Sequence, residues 1–484
     1  MMNDRIADRR SFLSSGMGFG SLALAAMLQR EGLQAADAWS PPSGQPHFPP
    51  KIKRVIWLFM VGGTSHVESF DPKPMLDKYD GKTIAETPYK NSLDSPHLKK
   101  NLREFIPGLH KVHPKIMRMQ IGHKKQGKSG IDISDWWPHL GSVVDELAII
   151  RSMWTTDNNH GAQLQFHTGR HAIEGNFPTI GSWVRYGLGS LNDDLPSFVV
   201  LGRPLADCCG GQFGHGAEYL GPEYSGVPLS ADPDKPLPFL PRKEQPADRR
   251  REQFDLIHRF NQEAAGRNPD DAAIQAKIKA YEVAFRMQTT VPDVMRLVGE
   301  TEETKKLYGL DQAETKEFGR LCLAARRLSE RGVRFVQVFH GSNGGAGDWD
   351  AHSDLKPNHA RLCKAVDQPI AALVKDLKRR GLLDETLVVW GTEFGRTPGV
   401  QGSAGRDHHP YGFSIWMAGG GVKKGVVHGA TDELGFHAVE ERHYVTDLHA
   451  TVLQLLGLDA HKLAIPGRKR LEIDFGAPMT GILS

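Results

Sequence analysis

Val55-Ile56-Trp57-Leu58-Phe59-Met60-Val61, closed by Gly62-Gly63, is an apolar run with no polar residue to mark a solvent face. A strand wetted on one side alternates apolar and polar residues, so an unbroken run fits a strand buried on both faces of a parallel sheet. Leu147-Ala148-Ile149-Ile150, Phe198-Val199-Val200-Leu201, Val333 to Phe339, Leu387 to Trp390 and Phe413 to Met417 read the same way. Helical patterns alternate with them. Leu362, Val366, Ile370, Leu373, Val374 and Leu377 mark one helix face, with Gly381 as its stop and Pro369 either kinking or beginning the helix. This alternation predicts an α/β fold, a doubly wound and mostly parallel sheet with helices on both faces. Its functional groups are expected at the carboxyl ends of strands.

Working outward, residues Arg203 to about Arg320 break the rhythm. They are rich in Gly and Pro to Pro246 and helical in composition from Ala247, which predicts an inserted segment. At the other end, Asp8-Arg9-Arg10-Ser11-Phe12-Leu13 precedes a weakly apolar run from Gly16 to Leu28 and the small residues Ala35-Ala36-Asp37-Ala38. A charged region, a short apolar region and an A-x-A cleavage site predict a signal peptide over residues 1–38. Thirteen apolar-region residues are too few to span a bilayer. The arginine pair resembles a twin-arginine signal, the address of proteins exported already folded. Residues 39–50 hold five prolines and read as an extended linker, leaving 51–484 as the folded domain with its insertion at about 203–320.

Composition excludes several classes. With 39% hydrophobic and 24% charged residues, the 484-residue chain is neither disordered nor a polytopic membrane protein. Sixty Lys and Arg against fifty-seven Asp and Glu leave +3, so no nucleic-acid partner is expected. The average hides one asymmetry: His97 to Lys128 carries nine Lys or Arg against Glu104 alone. Such a stretch steers an anionic ligand or is a solvated surface. Four cysteines exclude a disulfide scaffold.

Several of the twenty-two histidines sit at strand-end and helix-start motifs. Asp348 and His352, after the strand ending at Phe339, are four apart and share a face if a helix starts there. A carboxylate and an imidazole so placed hold Zn²⁺ or Mn²⁺, although most such pairs are surface ion pairs or caps. Glu393 follows the strand Leu387 to Trp390; the plain alternative is a loop carboxylate paired with Arg396. Arg406-Asp407-His408-His409 is a dense loop cluster. Adjacent residues point opposite ways, so one of His408 and His409 faces a given site. Asn158-Asn159-His160-Gly161 reads as a helix start, with Gly169 as its stop, and offers backbone N–H groups to an anion. His160, His167 and His171 fall on one helical face, which packing alone also explains.

In Val61-Gly62-Gly63-Thr64-Ser65-His66 through Phe70-Asp71-Pro72-Lys73-Pro74, Gly391 to Pro398, and Thr446-Asp447-Leu448-His449-Ala450-Thr451 through Leu456-Gly457, the chain resembles the alkaline phosphatase superfamily. That fold is shared by sulfatases and cofactor-independent phosphoglycerate mutase. More closely, the chain resembles an exported bacterial family, domain of unknown function 1501, from about residue 51 to the end. The resemblance implies an alkaline-phosphatase-like fold and a metal site. Asp348 and His352 match an Asp and the His four residues later, Glu393-Phe394-Gly395 stands at a D-H-G motif, and His408 or His409 matches a third ligand. The superfamily's second ion is not matched. Val61 stands near one ligand position, Phe394 at another, and Asn159 where a nucleophile is expected. Val and Phe cannot ligate, so the resemblance implies at most one divalent ion (Zn, Mn or Ca), held by Asp348, His352, Glu393 and one of His408 and His409.

Two functions are then expected of an exported protein of the periplasm or cell surface, carried by the twin-arginine machinery and not integral to the membrane. One is a single-metal hydrolase of a sulfate or phosphate ester. Its substrate is a small anion or a sulfated polysaccharide, Glu393 orients water, and His160 contacts substrate. The other is an inactive binding or assembly protein for surface polysaccharide or other exported proteins.

Overall fold

The computed structural model describes residues 43–94, 113–230, 232, 234–237, 247–267, 272–465, 467–468 and 470–484. The expected signal peptide and part of the basic stretch lie outside them. Nine strands form the main sheet: β1 (Arg54–Met60), β2 (Leu147–Trp154), β3 (Phe198–Leu201), β4 (Val227–Leu229), β5 (Phe335–His340), β6 (Thr386–Thr392), β7 (Phe413–Gly419), β8 (Val426–His428) and β9 (His443–Tyr444). Their order is β8-β2-β7-β6-β1-β5-β3-β4, with β9 also on β2.

β1 lies between β5 and β6 and runs parallel to both, Val55 pairing with Phe335 and Leu387. Residues 55 to 60 are wholly buried, and alternation divides them between two helical layers. Ile56, Leu58 and Met60 join the core cluster that includes Leu321 and Leu323 of helix α5 (Lys316–Glu330) and Val366, Ile370 and Leu373 of helix α6 (Leu355–Arg379). On the other face Trp57 and Phe59 pack against Phe166 and His167 of helix α1 (Gly161–Thr168), and Trp57 also meets His449 of helix α7 (Val445–Leu455). The fold is therefore α/β, a doubly wound and mostly parallel sheet covered on both faces. Pro369 lies inside α6, and Gly381 follows that helix at φ +68°.

β7 departs from the parallel pattern and runs antiparallel to both β6 and β2. The segment between β6 and β7 forms no helix, and a parallel strand needs a crossover, usually helical. It turns back through a small ladder pairing Gly395–Arg396 with His408–His409. The carboxyl ends of β1, β2, β5 and β6 and the start of β7 thus meet at one edge of the sheet.

Two compact units are distinguished. Pro42–Glu244 with Val283–Ser484 carries the sheet. The described part of the smaller unit is helix α3 (Ala247–Arg267) and the first part of helix α4 (Ala272–Met295), as far as Glu282. The region expected as an insertion also contributes β4 to the main sheet. Helix α2 (Ile180–Leu188) is nearly all buried. Among the described residues no helix is long and apolar enough to cross a membrane, and the four cysteines are free thiols.

Candidate metal centre

Four connections bring the site together at that sheet edge. Gly62-Gly63 follows β1, the turn carrying Asp350 and His352 follows β5, Glu393 and Arg396 follow β6, and His160 caps α1 after β2. His408 comes from the ladder preceding β7.

Asp350 is the hub. Its Oδ1 lies 3.0 Å from His352 Nε2 and 3.0 Å from His408 Nε2, and its Oδ2 lies 3.2 Å from His160 Nε2. The other ring nitrogen of each imidazole faces an oxygen. His408 Nδ1 is 2.9 Å from the Asn158 carbonyl, His352 Nδ1 is 2.5 Å from Gln401 Oε1, and His160 Nδ1 is 3.2 Å from Glu393 Oε1. Each oxygen can only accept, so in the neutral form of each ring Nδ1 carries the proton and the Nε2 lone pair is left for an ion held beside Asp350. His352 Nε2 and His408 Nε2 stand 3.0 Å apart. This donor chemistry fits a divalent ion: imidazole nitrogens oriented by a second hydrogen bond, around one carboxylate. His160, Asp350 and His408 form one group whose ligating atoms lie within 4.8 Å of one another, and His352, Asp407 and His408 form another.

The charges agree with this assignment. Burial opposes ionisation of Asp350, yet the Arg396 guanidinium above all, with the imidazoles around it, holds its carboxyl far below the usual range. Burial pushes His408 well below the ordinary imidazole value, keeping it neutral as a ligand must be. His160 goes the other way. Burial lowers it, but bonds to Asp350 and Glu393 outweigh that and raise it to about 9. Without an ion it is an imidazolium between two carboxylates, and an arriving ion displaces that proton.

Glu393 is fully buried and committed to the protein. Its carboxylate accepts from Gly62 N–H (2.9 and 3.1 Å), Gln163 Nε2 (3.0 Å) and Thr392 Oγ1 (3.1 Å) as well as facing His160. Two buried arginines fix the surrounding loops. Arg396 donates to Asp350 Oδ1 (2.9 Å) and to the carbonyls of Gly62, Gly63 (2.7 Å), Trp349 (3.2 Å) and Arg406 (3.1 Å). Arg406 pairs with buried Glu68 at 2.7 Å and donates to the carbonyls of Thr397, Pro398, Met117 and Arg118. Gly62 sits at φ +122°, where an added Cβ would lie 2.5 Å from the Asp350 nitrogen. Only glycine lets β1 pass this close to the Asp350 turn. Phe394 lies against His408, ring centroids 4.4 Å apart, giving the centre an apolar wall.

Of the residues expected from sequence, His160, His352, His408 and Glu393 come together. Asp348 and His409 do not join them. α6 begins at Leu355, so Asp348 and His352 share no helical face. Residues 348 to 352 form turns about buried Trp349, whose indole N–H reaches His340, and Asp350 takes the inward position. Asp348 instead accepts from Asn343 at 3.0 Å. His409 stacks on Phe436 and bonds that residue's carbonyl through Nε2. His167 is packed in the core against Phe59 at 4.5 Å, and His171 pairs with Asp157 at 3.3 Å, so neither shares the centre with His160. Asp350 and Gln401 were not singled out from sequence, and the two arginines were not read as buried anchors of the site; the short spacing Asp350-Ala351-His352 was the available signal for the first.

A mostly parallel α/β sheet with one histidine-carboxylate centre at its carboxyl edge defines the class. The family model described as "Protein of unknown function (DUF1501)" matches residues 52–478, and the chain belongs to that family. No curated protein matches. Similar solved structures include the sulfatase PsFucS1 from Pseudoalteromonas sp., at 12% identity and TM-score 0.35, covering 90% of this chain and 72% of that one. The lipoteichoic acid synthase LtaP from Listeria monocytogenes is similar at 10% identity and TM-score 0.38, covering 92% and 79%. A protein in the alkaline phosphatase superfamily from Vibrio parahaemolyticus gives 12% identity and TM-score 0.35, covering 83% and 81%.

Proposed function

We propose that this chain is an exported, single-ion hydrolase of a sulfate or phosphate ester. The carrying observation is the convergence of three imidazole Nε2 atoms on Asp350, each with its Nδ1 fixed by an oxygen. His160, Asp350, His352 and His408 hold the ion, with Asp350 in place of the Asp348 expected from sequence. A bound divalent ion supplies Lewis-acid polarisation of an ester oxygen and lowers the pKa of water. Glu393 acts through His160, holding its Nδ1 proton and hence its orientation. Arg396 keeps Asp350 ionised and aimed. His352 and Asp350 are the accessible members, with side chains 33% and 15% exposed, so substrate approaches from their side. The ester class comes from the sequence motifs, as do the twin-arginine route and the periplasm or cell surface as destination.

A second reading is a catalytically inactive binding or assembly protein for surface polysaccharide or other exported proteins. One observation favours it: the hydroxyls of Thr155, Thr156 and Ser65 are engaged elsewhere. Thr155 donates to Gln165 at 2.5 Å, Thr156 accepts from Gln165 at 2.8 Å, and Ser65 bonds Glu68. Asn159 caps the local turn by accepting from the His160 N–H. Metal analysis of the purified protein, followed by assay against sulfate and phosphate esters beside His352→Ala, separates the two. Ion-dependent hydrolysis lost in the variant supports the enzyme; an ion-free protein without hydrolysis supports the binding reading.

A further inference from the structure

A second group of ligating side chains lies on the outer edge of β2 and shares no residue with the centre above. Two short strands cover that edge in succession. β8 pairs along Ala148 to Ile150, then β9 along Met153 and Trp154. The last residue of β8, His428, and the first of β9, His443, meet at the break, their Nε2 atoms 2.9 Å apart and their rings stacked. His443 Nδ1 faces the Asp447 carboxylate at 3.3 Å, so in the neutral ring Nδ1 carries the proton and the Nε2 lone pair points at His428. Glu441, held at φ +44° with its carbonyl bonded by Ser152, completes a trio whose ligating atoms lie within 4.8 Å of one another.

We propose that His428, Glu441 and His443 form a second divalent-cation site, of the zinc class, that staples β8 to β9. Two imidazoles and one carboxylate suit Zn²⁺ better than Mg²⁺ or Ca²⁺, which prefer all-oxygen sets. Asp447 is the outer carboxylate that orients His443, as in carboxylate–histidine–zinc arrangements. The role is structural. Short edge strands hold few ladder bonds, and an ion joining the end of one to the start of the next closes the gap between them. Glu441 is exposed and both imidazoles are partly so, leaving one side of the ion to water.

The test is zinc stoichiometry of the full chain, stripped with a chelator, re-equilibrated with zinc chloride and desalted. The wild type should hold two ions, His408→Asn one, and His408→Asn with His443→Asn none. In the His408→Asn background, zinc should raise the thermal midpoint, and His443→Asn should abolish that shift. Glu441→Gln alters an exposed carboxylate with little stake in folding and should weaken retention of the edge ion at least about tenfold; it decides the matter if His443→Asn does not fold. The proposal is overturned if His408→Asn holds no zinc. It is equally overturned if His443→Asn and Glu441→Gln retain zinc as the wild type does. One ion lost in His443→Asn but kept in His408→Asn would support the edge site while refuting the central one.

Discussion

Asp350→Asn, set against Asp348→Asn, tests the central assignment most directly. Arg396 is wholly buried, and its contact with Asp350 Oδ1 at 2.9 Å is the guanidinium's charged partner in the centre. Removing one member of a buried pair costs about 3–5 kcal/mol, because the other charge stays buried. Asp350 is 15% exposed, which places the loss near the lower end, about 3 kcal/mol. That is roughly a hundredfold in the folding equilibrium, and it is read by urea denaturation of chelator-treated protein. Asp348 makes one bond to Asn343 from a half-buried position, so its replacement should cost about 1 kcal/mol or less. Ion binding should separate the two further. Asp350→Asn removes the one carboxylate facing three imidazoles and should lower zinc or manganese affinity by about a hundredfold or more, while Asp348→Asn stays near wild type. The reasoning is refuted if Asp348→Asn loses the ion and Asp350→Asn keeps it, or if both destabilise equally.

Gln401→Ala removes the acceptor that fixes His352 Nδ1 at 2.5 Å. Ion affinity measured by dialysis should fall about 10- to 100-fold with little change in the urea midpoint. Gly62→Ala forces a Cβ to within 2.5 Å of the Asp350 nitrogen at a φ of +122°, and should cost at least about 2 kcal/mol in denaturation and weaken ion retention with it. Burial holds His449 at about 4 even though the Phe166 carbonyl pulls the other way. The unfolded chain takes up that proton near 6.5, so stability is complete above 6.5 and declines as pH falls toward 4, by about 3 kcal/mol from this group. A stability profile from pH 7 to 4 should flatten by that amount in His449→Gln, and an unchanged slope would refute the assignment.

The strands of the sheet's middle were legible because burial on both faces writes itself as unbroken apolar sequence, as in residues 55 to 61. The sheet's margins were not. Val426–His428 and His443–Tyr444 are too short to show a period, and the antiparallel course of β7 depends on what the chain does between strands. His160, His352, Glu393 and His408 were reached because each stands just past a strand or before a helix. Asp348 and Asp350 are indistinguishable until the backbone shows turns where a helix was supposed. The arginines were least legible. Arg396 read as the partner of a loop carboxylate, Glu393, whereas it is a buried donor to four carbonyls and Asp350.

The placing of β1 also governs when the protein can become itself during synthesis. The first strand of the domain has both its neighbours, β5 and β6, in the last third of the chain. A ribosome must therefore release most of the polypeptide before the central strand finds either partner, and until then an apolar seven-residue segment waits without its sheet. Truncations that remove β5 and β6 should consequently strip β1, made far earlier, of both its neighbours. Holding the chain in a soluble, unaggregated form through that interval is a demand the topology itself imposes.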